Sequence, residues 1–404
     1  MRMTIKKNLI FYFILFLILA IPLTNNQYFY YYAFILLFFM ALFYTNSYKS
    51  LKYVQNADRQ NSKEWIIKYY PAVLLCTWWF GIIVGLLRGN QIENIVQNFA
   101  GTLCYLLYYV FLYKKIDKDA IISSIIKASV LATLFTACAY LLTIANNAFW
   151  PFSNVTYNVH TKSVITSVEP LAFILLTTSI WGIFVLNNSI WKKLTLSILF
   201  LLASWVLLAT NNMGGYKLGY VIVLGISIYY ALFFNAGYSK TAKLLGTLCF
   251  IAAIATIIIL DFTSSQSIAN IFSLNDAGNE KRYYQINIVF DRFKILGNGI
   301  GAVYEYSILG KTYSGYGIEV SYLNIIDKYG ILSAGILYVF AKTLIIPMRY
   351  LGKTNENGLR NMLAIGSCGY FFVAIGNPIL FSAYNVILHC IVLYLLTGIR
   401  YKRN

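Results

Sequence analysis

The chain has 404 residues, 59% of them hydrophobic and only 11% charged, with a mean hydropathy of +0.65. A water-soluble protein carries roughly a quarter charged residues on its surface, so this composition excludes an ordinary soluble domain and requires lipid around most of the chain. The net charge of +18, from 32 Lys+Arg against 14 Asp+Glu, would suggest nucleic acid in a soluble protein. Here the basic residues sit in short loops between apolar blocks, the pattern by which membrane proteins set their orientation.

The apolar blocks run to about 20 residues, the length that crosses a ~30 Å hydrocarbon core as a helix. Backbone groups in lipid must be paired within the segment, and continuous apolar runs, rather than alternation, argue against a barrel. The expected fold is therefore all-α: one polytopic membrane domain over residues 1–404, of about twelve transmembrane helices. The spans are placed at 8–24, 28–46, 69–87, 95–113, 121–145, 165–187, 193–210, 215–234, 243–261, 321–346, 361–376 and 379–398.

Met1 to Lys7 followed by an apolar run has the outline of a signal peptide. No small-residue cleavage site follows and more spans do, so it is read as the first helix. With the N-terminus inside, the cytoplasmic segments are 1–7, 47–68, 114–120, 188–192, 235–242, 347–360 and 399–404. Together with the flanking Lys193 and Lys243 they hold 21 of the 32 basic residues, against eight outside and three (Lys127, Lys328, Lys342) within spans. This bias places both termini in the cytoplasm.

Two outer loops are long. Residues 146–164 form a medium one, and 262–320 form a large one of 59 residues, partly helical; long ordered loops are usually functional. The six cysteines (Cys76, Cys104, Cys138, Cys249, Cys368, Cys390) all fall in apolar blocks, with no disulfide framework or metal spacing. They read as small core residues. No internal repeat is evident.

Charges at membrane depth each need a reason. Glu169 precedes Pro170 at the outer end of the sixth span, either as an interfacial carboxylate at a helix start or as a functional group. Lys217 follows TNNMGGY at the start of the eighth span, either snorkelling to the interface or offering a cation at the mouth of a cavity. In NEKRYYQINIVFDRFKILGNGIG, the stretch YYQINIVFDRF has helical apolar spacing and reads as an amphipathic helix on the membrane or on top of the bundle. LGNGIG then forces a turn. Without a preceding strand it is not a nucleotide loop.

The basic residues of this segment read as headgroup contacts, except that Arg282 can grip a phosphate bidentately. Glu319 and Asp327 are eight residues apart, about two turns on one helical face. Glu319 is the candidate general base, and Asp327 reads as paired with Lys328 or with another span. His160 in the medium loop is a candidate for the site edge, and His389 reads as a hydrogen-bonded core residue. No His/Cys/Asp/Glu group has metal spacing. The Trp and Tyr residues read as interface belts.

Taken in order, VEPLAFILL, TNNMGG, the loop arginine followed by FKILGNGIG, and EVSYLNIIDKYGILSAGIL resemble the Wzy-type O-antigen and capsule polymerases, related to the O-antigen ligases, over residues 160–345. The resemblance implies a metal-independent, GT-C-like membrane glycosyltransferase without a cofactor, in the bacterial inner membrane. It would join oligosaccharide repeat units carried on undecaprenyl pyrophosphate, with a chain-length-regulating co-polymerase as a partner and no nucleic acid. In that frame Arg282 and Lys217 bind pyrophosphate, Glu319 acts as base, and Glu169, His160, Arg292 and Asp327 are further candidates for substrate binding.

The chain departs from the ligase-like pattern in two places. Glu319 and Val320 stand where ligases place His and Asn, which favours a polymerase. Asn212 and Met213 stand where relatives tend to have Ser and Arg, which shifts the cation to Lys217. The alternatives are a ligase that moves finished polymer to the lipid A core, and a flippase for lipid-linked oligosaccharide, against which the long loop argues.

Overall fold

A computed structural model describes residues 2–20, 27–44, 64–146, 155–158, 163–166, 170–186, 188–209, 214–233, 277–308, 311–315, 318, 320–349, 355–375 and 380–397. The expected ninth span, 243–261, lies outside them. The described chain is overwhelmingly helical, with two short antiparallel hairpins, Val155–Asn158 with Ser163–Thr166 and Tyr304–Ile308 with Lys311–Gly315.

Four helices among the described residues are long and apolar enough to cross a membrane: Lys68–Leu87, Lys118–Leu142, Ile190–Leu208 and Ser321–Met348. A fifth span is made if Ile92–Asn98 and Gly101–Lys114, bent by 42°, count as one. Five shorter apolar helices accompany them: Leu9–Ala20, Tyr32–Leu42, Pro170–Phe184, Tyr216–Ala231 and Ala383–Leu396.

The core is built on two of the short helices. Every residue of Ala383–Leu396 is buried, as is Pro170 through Gly182. A helix that is apolar all round can only be central. Around the first pack Gln27–Leu42, Glu64–Leu87, Ile92–Leu103, Leu106–Lys114 and Asn355–Ser367. Around the second pack Lys118–Asn146, Ile190–Ala209, Gly214–Phe233 and, again, Asn355–Ser367. At the periphery, Ile190–Ala209 leaves Ile190, Trp191, Leu194, Ile198 and Leu201 exposed, an apolar stripe suited to lipid.

Lipid tails are as apolar as leucine, so helices in a bilayer associate through close packing and hydrogen bonds rather than hydrophobic gain. The polar ties are accordingly specific. Thr177 donates to the Met362 carbonyl at 2.8 Å. His389, within the central helix, bonds Tyr105 at 2.6 Å through Nδ1 and Thr343 at 2.9 Å through Nε2, and its ring stacks on Phe340. It is a satisfied core histidine, as its sequence setting indicates.

Several expected boundaries move. The sixth span begins at Pro170, not 165, because Ser163–Thr166 is taken up as a strand by Val155–Asn158. The fourth span is bent between Ile92–Leu103 and Leu106–Lys114, and the tenth is broken after Tyr329 into a 3-10 turn, Gly330–Leu332, and a second helix, Ser333–Arg349. Gly330 sits at φ +54°, and a Cβ on it would lie 2.0 Å from the Ile295 carbonyl oxygen, so the break lets the incoming loop touch the helix backbone. The helix expected in the large loop runs Ala277–Asp291, starting earlier than the apolar periodicity implied.

The glycines of LGNGIG make the expected turn. Gly297, Gly299 and Gly301 all have φ near +80°, a region open to glycine at little cost. A Cβ on Gly299 would meet the Gly85 amide nitrogen at 2.2 Å. Gly299→Ala is therefore expected to destabilise the purified protein by about 1–3 kcal/mol, read as a lower unfolding temperature in detergent. Gly315→Ala, whose Cβ meets nothing within 4 Å, should stay within about 0.5 kcal/mol of the parent. Equal effects of the two would mean that the turn does not depend on this close approach.

Candidate functional site

The Ser321–Tyr329 helix is amphipathic and carries the only two fully buried charged side chains among the described residues, Asp327 and Lys328. Consecutive helical residues point about 100° apart, so the pair faces two different neighbours. Asp327 faces the segment that follows the Ala277–Asp291 helix. Its Oδ1 accepts from Asn298 Nδ2 at 2.8 Å, its Oδ2 accepts from the Tyr304 hydroxyl at 2.8 Å, and Arg292 Nε lies 3.4 Å from Oδ1. Its carbonyl oxygen also accepts from the Asn298 amide at 2.8 Å.

Arg292 in turn donates to the Val303 carbonyl at 2.8 Å and stacks its guanidinium over the Tyr304 ring, 4.7 Å from the centroid. Burial and the adjacent Asp327 carboxylate push the Tyr304 phenol well above its ordinary range, so it serves as a permanent donor. Lys328 donates to Asn98 Oδ1 on the Ile92–Leu103 helix. The loop is fastened from the other side by Asn90, whose amide donates to the carbonyls of Asn298 and Ile300 at 3.0 and 2.9 Å, and by Ile300 N to Gly81 O at 2.9 Å.

These contacts revise one expectation. Asp327 pairs with Arg292 rather than Lys328, because the returning loop reaches the carboxylate while Lys328 turns to Asn98. The eight-residue spacing of Glu319 and Asp327 reaches outside the described residues; the helix that bears Asp327 starts at Ser321, after Val320 at φ −81°, ψ 98°. Asp327, with its oxygens occupied by three loop side chains, positions the loop and is not a free base.

Of the other candidates, Glu319, Glu169 and His160 lie outside the described residues. Arg282 is half-buried on the Ala277–Asp291 helix, almost three turns before Arg292, and Lys217 is half-buried in the first turn of Gly214–Phe233. The helix starts around them converge. Phe173, in the first turn of Pro170–Phe184, stacks with Tyr216 at 6.4 Å. A Cβ on Gly219 would lie 3.0 Å from the Gly369 carbonyl oxygen, and Ser321 N bonds Ala374 O at 3.2 Å.

Three helix N-termini, at Pro170, Gly214 and Ser321, thus gather around Gly369–Ala374. Each carries the positive end of a helix dipole, although Pro170 has no N–H and the Ser321 N–H is taken by the Ala374 carbonyl. No group of three His, Cys, Asp or Glu side chains suited to a metal occurs among the described residues.

Sequence reasoning missed Asn298, Tyr304, Asn90 and Asn98. The one available signal was Asn298 itself, a lone amide between two turn glycines, a setting in which a side chain is held rigidly enough to serve as a tether.

The chain is a mostly helical protein with apolar helices of membrane-crossing length and a polar segment, 292–304, pinned to a broken helix. Neither protein-family models nor curated proteins give a match to it.

The Asp327 network has a direct readout. Asp327→Ala leaves buried donors unmade, at about 1–3 kcal/mol each, and should loosen residues 292–304. Trypsin cleavage after Arg292 or Lys294 is expected to quicken at least about tenfold, the equivalent of 1.4 kcal/mol in local opening. Unchanged protection would show that Asp327 is not what holds the segment.

Proposed function

We propose that the protein is a polysaccharide polymerase of the membrane glycosyltransferase class, joining oligosaccharide repeat units carried on a lipid diphosphate at the outer face of the bacterial inner membrane. The twelve-span arrangement with both termini in the cytoplasm, and the GT-C-like character, belong to this reading. It is supported by the ordered resemblance over residues 160–345 to the O-antigen and capsule polymerases, and by one structural observation that carries most weight: the helix starts at Pro170, Gly214 and Ser321 converge on Gly369–Ala374.

An array of helix N-termini favours anions. Lys217 belongs to one of these first turns, and the segment bearing Arg282 and Arg292 is tied to another of these helices through Asp327. A diphosphate leaving group gathers negative charge as its bond to the sugar breaks, and fixed donors and cations aimed at it lower the barrier most when they need not reorganise.

In the reaction, an acceptor hydroxyl of one lipid-linked unit attacks the anomeric carbon of the donor glycan. The C–O bond to phosphate breaks, the lipid diphosphate leaves with the electron pair, and the hydroxyl proton passes to a base. Arg282 and Lys217 hold the diphosphate in this scheme, and Glu319 takes the proton. Arg292 contributes by fixing the loop, since its guanidinium is committed to Asp327, Val303 and Tyr304.

The experiment is polymerisation of a synthetic lipid-diphosphate repeat unit by purified protein. Arg282→Ala and Glu319→Gln should each lower product at least about 100-fold, the scale of losing a transition-state contact. Arg282→Lys should stay poor, because a point charge does not reproduce a planar fork. Full activity of either neutral variant removes that residue from the scheme. Failure of the parent protein to extend the repeat, together with attachment of finished polymer to a lipid A core acceptor, would make it a ligase.

A further inference from the structure

We propose that a cleft beside the start of the Lys118–Asn146 helix binds the headgroup of an anionic glycerophospholipid, gripping the phosphodiester through Lys127. The inference is independent of the polymerase reading and rests only on the chain crossing a membrane. The cleft has a volume of about 440 Å³ and is lined by Asp119, Ile122, Ser123, Ile126, Lys127 and Leu359. Asp119, Ser123 and Lys127 recur every fourth residue, so they form one stripe along the helix. Ile122 and Ile126 flank it, and Leu359 of the Asn355–Ser367 helix supplies the opposing wall.

Lys127 lies about 12 Å along the axis from Asp119, well inside the apolar window Lys118–Leu142, and is exposed. A lysine facing lipid at that depth must find polar company. In a helix the Cα–Cβ bond tilts toward the N-terminus, so the Lys127 arm rises along the stripe toward the helix start and into the cleft, as snorkelling requires.

The charges already in the cleft decide the kind of headgroup. The Asp119 carboxylate is engaged by Arg360 Nη2 at 2.9 Å, which leaves it satisfied. Lys127 has no ion-pair partner among the described residues. The unmatched positive charge calls for a headgroup of net charge minus one. A zwitterionic headgroup would bring an ammonium for which no carboxylate is left. The exposed Ser123 hydroxyl, one turn closer to the helix start, can donate to a second phosphodiester oxygen, and the isoleucine and leucine walls suit the glycerol backbone and the first acyl carbons.

The test is native mass spectrometry of the full chain released from bilayers of phosphatidylcholine alone or mixed with phosphatidylglycerol or phosphatidylethanolamine. The parent should retain phosphatidylglycerol preferentially. Lys127→Gln should retain about fivefold less of it, the weight of one lysine against an anionic headgroup, with no change for phosphatidylcholine. Lys342→Gln removes another lysine from an apolar helix, one whose ammonium lies over the Tyr338 ring at 5.1 Å, and should leave retention as in the parent. Equal loss in both variants, or none in Lys127→Gln, overturns the proposal. If Lys127→Gln cannot be purified, the parent decides: retention of phosphatidylglycerol no greater than of the two zwitterionic lipids also overturns it.

Discussion

A carboxylate buried at the end of a membrane-type helix is tolerated only when its oxygens are occupied, and residues 292–329 of this protein are arranged around that requirement. Asp327 receives Asn298, Tyr304 and Arg292, and in doing so draws together a glycine turn, a hairpin and the helix that follows them in the chain. Leaving a buried polar group without its partner costs about 1–3 kcal/mol, so the arrangement closes as a unit. The segment 292–304 is thereby fixed to the bundle.

The glycines make this possible. Asn298 reaches Asp327 only because Gly297 and Gly299 let the backbone press against Lys328 and Gly85, at distances where a Cβ would overlap backbone atoms. The break at Gly330 serves the same end, freeing the helix to meet the loop: Ile331 N donates to Ile295 O at 2.9 Å. On the far side, Lys328 ties the same short helix to Ile92–Leu103, itself half of a bent pair. Two interrupted helices therefore meet through side-chain bonds, and discontinuous helices are how membrane proteins bring backbone dipoles and charges to a substrate.

This rigidity bears on the proposed chemistry. Cations on a mobile loop would need ordering with each substrate, whereas cations on a pinned one act at no such cost. The same logic separates the roles of the two loop arginines. Arg292, just past the end of the Ala277–Asp291 helix, commits its donors within the protein and fixes the loop, while the proposed scheme gives the substrate to Arg282, almost three turns earlier.

Sequence alone determined that the chain is helical, with apolar helices of membrane-crossing length, because these follow from composition and from runs of apolar residues, which are local properties. It also located the turn at 297–301, since alternate glycines with a central asparagine leave few other conformations, and it marked His389 as a core residue by its apolar surroundings. The partners of the buried charges were decided by tertiary structure. Asp327 adjoins Lys328 in sequence, yet pairs with Arg292, and Lys328 pairs with Asn98, because helical geometry sends neighbours in different directions. The helix start at Ser321 is likewise tied by the bond from Ser321 to Ala374, a contact between residues that no local pattern connects.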